Sequence, residues 1–265
     1  MTEELVWAYC VSGAPAGVEG LGVDSRPIEE VEAAGLSVLI SRVPRSEFAE
    51  DALRRNLNDV NWVGRVARAH EQVLEHALSE TTIVPLRLCT LFETEDGVRR
   101  MLEEEHGALA DALSALTGRE EWGVKLMMNK ATLEEAIEET SPEVAALRSE
   151  MEGRSEGGAY LIRRRLERHV RETADALTVS AADELRAALD EVVIALVTRP
   201  SQNPELSGHT GAILLNAACL VEQGGVAGLR EVTSRFETRY DHLGARVELT
   251  GPWPPYNFIP GGSAS

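Results

Sequence analysis

Stretches of continuous apolar residues, of helical period and of polar punctuation follow one another along this chain, and the changes between them mark its elements. Leu5–Val11 (LVWAYCV) is apolar and rich in β-favouring residues, and reads as a buried strand closed by the turn-forming SGAPAG. Leu36–Ser41 (LSVLIS) reads as a second strand, antiparallel to the first, with Ile28–Ala33 a short helical turn between them. Glu47–Asn56 carries a helical pattern. Asn61–Leu78 carries a stronger one, because Trp62, Val66, Ala69, Val73 and Ala77 fall on one face of a 3.6-residue period. Thr82–Leu88 reads as a strand whose Pro85 puts it at an edge or at a bulge. A helix is then predicted from Glu95 to Leu116, capped by Thr90 or Thr94 and stopped at Gly118.

From Trp122 the order of elements becomes informative. Strand Trp122–Met128, a helical region, strand Val192–Val197, strand Ala212–Val221, helix Val226–His242 and strand Ala245–Leu249 spell β-α-β-β-α-β. That is the ferredoxin-like order, with both crossover helices on one face of an antiparallel sheet. Val192–Val197 and Ala212–Val221 are short apolar runs that also read as buried helix. The first crossover is enlarged. It holds an acidic stretch, Thr132–Met151, interrupted by Pro142, then the glycine-rich GRSEGG, then an arginine-rich helix over Ala159–Leu177. Arg164, Arg168 and Arg171 share a face of that helix, and two readings of it stand: a solvated face neutralised by nearby glutamates, or a docking face for an acidic partner. The fold expected is α+β, with an N-terminal α+β domain over 1–119. A C-terminal ferredoxin-like domain follows over 120–265.

Composition narrows the function classes. A chain of 265 residues, 43% hydrophobic, has material for a sizeable core, and its length suggests two domains. A net charge of −18 argues against nucleic acid and anionic membrane surfaces as partners. The longest nearly apolar run, Ala212–Val221, is too short to span a bilayer, which needs about 20 residues. With no leader-like N-terminus, a cytoplasmic protein is expected. Cys10, Cys89 and Cys219 lie far apart among apolar neighbours and read as small buried hydrophobes.

Candidate chemistry is sparse. The glycines of SGAPAGVEGLG lack dinucleotide-loop spacing, and no GxSxG, HExxH or phosphate-loop pattern occurs. His70 and His76 are six residues apart on different helix faces, and His106, His169, His209 and His242 are scattered. No catalytic residue, metal or cofactor is called for. The remaining feature is the tail, RVELTGPWPPYNFI, in which three prolines stiffen a segment bearing Trp253, Tyr256 and Phe258. Such a tail must pack on its own domain or on a partner, and a final strand at Ala245–Leu249 favours a clasp onto the N-terminal domain.

Four stretches together resemble the F/L family of gas vesicle accessory proteins. They are Trp7–Val11, the run from Ile83 to Phe92 (IVPLRLCTLF), Glu121–Lys125 (EWGVK), and Leu249–Phe258 (LTGPWPPYNF), which is the most specific. Where the family pattern P-x-R-x-G-T-x-F has glycine, this chain has Cys89, which points to an ordinary strand end there. The resemblance implies an α+β domain followed by a ferredoxin-like one. It also implies a non-enzymatic, minor component of gas vesicles that acts in assembly or nucleation. The implied partners are the small hydrophobic shell protein, kept from aggregating, and other accessory gas vesicle proteins. Two readings stand for Arg87, Trp122 and the tail residues Trp253, Tyr256 and Phe258: they lock the two domains together, or they border an apolar surface near the domain junction that holds the partner, since Trp, Tyr and Arg dominate interface hot spots. The rival class is a small-molecule-binding regulatory module on the ferredoxin-like sheet, which rests on fold analogy.

Overall fold

Strand β1 (Glu4–Ser12) organises the first half of the chain, and eight of its nine residues are buried. A strand so apolar on both sides must be covered on both faces, and it is. The computed structural model describes residues 3–200 and 212–259, and places β1 inside a mixed arrangement of helices and antiparallel sheet. Its neighbour on one side is β3 (Leu36–Pro44), antiparallel as expected, with β2 (Glu29–Ala33) beyond it. On the other side both β4 (Ile83–Pro85) and β5 (Leu91–Phe92) pair with it. The β1–β3 register slips between Ala8 and Cys10. That bulge lets Leu5, Trp7, Tyr9 and then Cys10 all enter one core cluster, because an extra residue inverts the period-two alternation.

One face of this sheet carries α1 (Arg45–Phe48), α2 (Glu50–Asn56) and α3 (Val60–Glu80), whose Phe48, Trp62, Val66, Val73, Leu74 and Ala77 join that cluster. On α4 (Glu95–Glu104) and α5 (His106–Leu116), Val98, Leu102, Leu109, Leu113 and Leu116 are buried, and these helices contact β2 and β4.

Several local expectations are corrected. The stretch Ile28–Ala33 is not a helical turn but strand from Glu29 on, because Ala34 and Gly35 take φ of 52° and 78° and close a two-residue hairpin into β3. The helix over Glu47–Asn56 starts at Arg45 and breaks where Ala49 is extended. The helix from Glu95 breaks at Glu105 into α4 and α5, with Thr94 as its cap. The strand expected over Thr82–Leu88 stops at Pro85. The chain then loops out, and the Leu86 N–H bonds the Tyr9 carbonyl before β5 resumes the edge. Cys89 is not an ordinary strand end: it takes φ 66° in that loop.

The second half opens with β6 (Arg119–Met128) and continues through α6 (Lys130–Thr140), α7 (Pro142–Met151) and α8 (Glu156–Asp190). Then come β7 (Ala195–Thr198), β8 (Ala212–Glu222), α9 (Val226–Tyr240) and β9 (Ala245–Trp253). Its sheet runs β7-β8-β6-β9, with β7 antiparallel to β8, so Ala212–Val221 is strand, whereas Val192–Val197 becomes strand only from Ala195, after a turn that follows α8. Trp122, Val124, Leu126 and Met128 of β6 meet Leu215, Ala217, Cys219 and Val221 of β8 in a core completed by α6 to α9. Alternate residues of two adjacent strands thus face one layer of helices. Pro142 starts α7 rather than kinking α6, with Ser141 capping its Val144 N–H. The arginine-rich helix is far longer than Ala159–Leu177. It begins inside the glycine-rich segment, where Ser155 caps Gly158, and runs 35 residues. β9 likewise continues past Leu249 to Trp253, a position at the sheet edge where prolines are tolerated.

By contacts the chain divides into two compact units: residues up to 120 with those from 253, and 121–252. Each has its own core cluster. No helix among the described residues is long and apolar enough to cross a membrane.

Candidate functional site

A buried polar cluster lies in the first unit, and the tail enters it. A histidine on the apolar face of an amphipathic helix needs partners for both ring nitrogens. His70 stands at that face of α3, one turn from Val66, and is fully buried. The Trp7 indole N–H donates to its Nδ1 at 3.0 Å. Indole is only a donor, so Nδ1 is the bare nitrogen and Nε2 carries the proton. Nε2 lies 3.3 Å from the Leu86 carbonyl oxygen and 3.3 Å from the Tyr256 hydroxyl. The Tyr256 hydroxyl in turn lies 3.4 Å from Glu71 Oε1 and 3.4 Å from the Leu86 oxygen, which are its two acceptors. Hydrogen bonds therefore run in one direction: Trp7 to His70, His70 to Leu86 or Tyr256, and Tyr256 to Glu71 or Leu86.

Ring packing reinforces the chain. Trp7 meets His70 edge-on at 5.8 Å between centroids, and Tyr9 stacks on His70 at 5.3 Å. The Tyr9 hydroxyl donates to Ser41 Oγ and accepts the Val23 N–H, so it too is satisfied. Burial holds His70 well below the usual imidazole range, at about 4, with the Leu86 carbonyl opposing the shift. Burial also raises the Tyr256 phenol, followed by the charge of Glu71, and raises the Glu71 carboxyl. The Cys10 thiol beneath is pushed up to about 12 by burial. These shifts leave the His70 ring and the Cys10 thiol uncharged near pH 7, so the cluster holds the tail through hydrogen bonds between neutral groups and the Glu71 side chain.

The five residues singled out from the sequence separate by exposure. Tyr256 is half-buried and packs against the first core, behind the buried Pro254 and Pro255. Phe258 is half-buried, its N–H bonding the Pro255 carbonyl. Trp253 is 41% exposed. Arg87 is exposed in the loop after β4, beside Leu88, which is 37% exposed. Trp122 is 8% exposed and belongs to the core of the second unit, against Gly251. Tyr256 and the Arg87 loop are brought together through Leu86. The sequence reading missed Trp7 and His70 as the seat of the tail. The signal was there: a histidine at i+4 from Val66 on an apolar face, and a buried tryptophan whose N–H needs an acceptor. His209 lies outside the described residues. No group of three or more metal-binding side chains is gathered among the described residues.

Comparison with known proteins places this arrangement in context. Residues 5–260 match the family described as gas vesicle synthesis protein GvpL/GvpF. Gas vesicle protein L of Streptomyces sp. (strain CB03234) is 35% identical over 266 residues, covering 97% of this chain and 93% of that protein. Gas vesicle protein L1 of Halobacterium salinarum is 26% identical over 263 residues, covering 96% and 90%. The crystal structure of GvpF from Anabaena sp. PCC7120 has the same fold, with a TM-score of 0.72 at 19% identity over 98% of this chain and 99% of that one. GvpF from Microcystis aeruginosa gives 0.66 at 19% identity, over 98% and 100%. Matched from strand β1 to the tail that Tyr256 anchors, the chain belongs to the GvpL/GvpF family of gas vesicle synthesis proteins, which implies a role in gas vesicle formation.

Proposed function

We propose that this chain acts in vesicle assembly without catalysing a reaction, by holding the small hydrophobic shell protein before it polymerises. A subunit that encloses gas presents an apolar face, and such a face aggregates in water unless it is covered. The net charge of −18 would keep the held complex dispersed.

The observation that carries this reading is the division of labour within the tail. Tyr256 is spent on the His70 cluster, whereas Trp253 remains 41% exposed. The same anchor reaches Leu86, next to exposed Arg87 and Leu88. We assign the contact surface to Trp253, Leu88 and Arg87, with Tyr256 and Phe258 fixing the segment and Trp122 packing its own core. Other accessory gas vesicle proteins are further partners in this reading. The second unit is, in our reading, ferredoxin-like: its elements run β-α-β-β-α-β with an enlarged first crossover, and the order β7-β8-β6-β9 agrees with that topology.

The test is capture of purified shell protein by the full chain. Trp253→Ala and Leu88→Ser should each reduce capture by about three- to tenfold while leaving the melting temperature unchanged, since exposed hot-spot residues act on binding. Tyr256→Ala should lower the melting temperature. Undiminished capture by Trp253→Ala and Leu88→Ser together would end the assignment.

A further inference from the structure

The amino-terminal half of α8 carries an exposed face that the shell-protein reading does not use. Residues 160–171 contain five arginines and one glutamate in a chain of net charge −18. Arg164, Arg168 and Arg171 stand one turn apart on a single face and are all exposed. Arg164 has only Glu167, at 3.9 Å, and among the described residues Arg168 and Arg171 have no carboxylate at ion-pair distance. Arg165, which lines a groove against α7 together with Arg168, pairs with Glu150 at 3.4 Å. The arginine face is bounded by large apolar side chains in the open: Tyr160 is 57% exposed, Leu161 65% and Val179 63%. A solvated charged face has no reason to carry these, because an amphipathic helix normally turns such residues to the core.

We propose that this face docks an acidic amphipathic helix of another protein. The three guanidiniums span about 10 Å along the axis, which matches carboxylates at i, i+4 and i+7 of a facing helix. Arginine binds such carboxylates in bidentate fashion. Tyr160 and Leu161 at one end, and Val179 at the other, cover apolar residues flanking those carboxylates. A polyphosphate strand is a poorer fit. Glu167, Glu172 and Asp175 stand among the arginines and are exposed, so they repel a continuous anion while tolerating discrete carboxylates placed between them. This face lies within the second unit and shares no residue with the surface assigned to the shell protein.

The probe is a fluorescent 21-residue helical peptide with Glu at i, i+4 and i+7 flanked by Leu. It is titrated with the full-length chain, beside a version with Lys for Glu, a single-stranded oligonucleotide and anionic vesicles. Binding of the Glu peptide should weaken by about tenfold or more in R164Q/R168Q/R171Q, and likewise between roughly 50 and 300 mM salt. Y160A/L161A should weaken it about three- to tenfold. All these side chains are exposed, so melting temperatures should not move. In vesicle-forming cells, a photocrosslinker at position 160 should attach to an acidic peptide of a partner. The proposal falls if the Glu peptide does not bind, or binds the triple variant equally well. It also falls if the oligonucleotide or the vesicles bind more tightly than the Glu peptide.

Discussion

At Cys89 a residue with a β-carbon holds φ 66°, a left-handed conformation that costs about 1–2 kcal/mol outside glycine. The loop enforces it, because the Thr90 N–H and hydroxyl both bond the Arg87 carbonyl while the Ala8 N–H bonds the Thr90 carbonyl. Cys89→Gly should leave stability within about 0.5 kcal/mol, relief of strain offsetting the lost burial and the freer unfolded chain. Cys89→Val should cost about 2 kcal/mol in urea unfolding. Equal losses for the two would show that thiol packing governs the position. His70 gives a second residue-scale expectation. Its folded pKa of about 4 lies below the unfolded 6.5, so the unfolded state binds the proton first and stability falls as pH drops from about 6.5 to 4. The full loss is about 3 kcal/mol. A protonated ring would also set an Nδ1–H against the Trp7 N–H. His70→Gln should be less stable at pH 7 yet lose less between pH 6.5 and 4 than the natural chain does.

Among the elements, the β2–β3 hairpin shows how turn chemistry outweighs a weak pattern. Glu29–Ala33 has one buried residue, Val31, too little for periodicity to separate strand from helix. The deciding signal is Ala34–Gly35, two positive-φ residues that close the strands tightly. Asn at position 34 tolerates that conformation better than Ala, so Ala34→Asn should stabilise the chain by about 0.5–1 kcal/mol in chemical unfolding. The long α8 makes the complementary point. It starts inside the glycine-rich segment, three residues before Ala159, with Gly157 and Gly158 in its first turn, where the Ser155 side chain accepts the Gly158 N–H.

For the whole molecule, the tail past Pro252 groups with the first unit although it follows the last strand of the second. Removing residues 253–265 should therefore raise hydrogen exchange in α3 and around β4, where Tyr256 meets His70, Glu71 and Leu86, and leave the core of 121–252 protected. Equal exchange gains in both units would contradict the grouping.

The mixed helix–sheet class, most of the elements and the family were legible in the amino-acid order alone. They were so because strands near-continuous in apolar residues, a 3.6-residue face on α3 and a proline-stiffened aromatic tail are local signals. Where elements stop was decided by long-range pairing: β4 ends at Pro85, after which the Leu86 N–H still bonds the Tyr9 carbonyl while the chain loops out to β5. The anchor of the tail was also a tertiary decision. Tyr256 and Glu71 are 185 residues apart, and only folding supplies the acceptor that a buried hydroxyl requires.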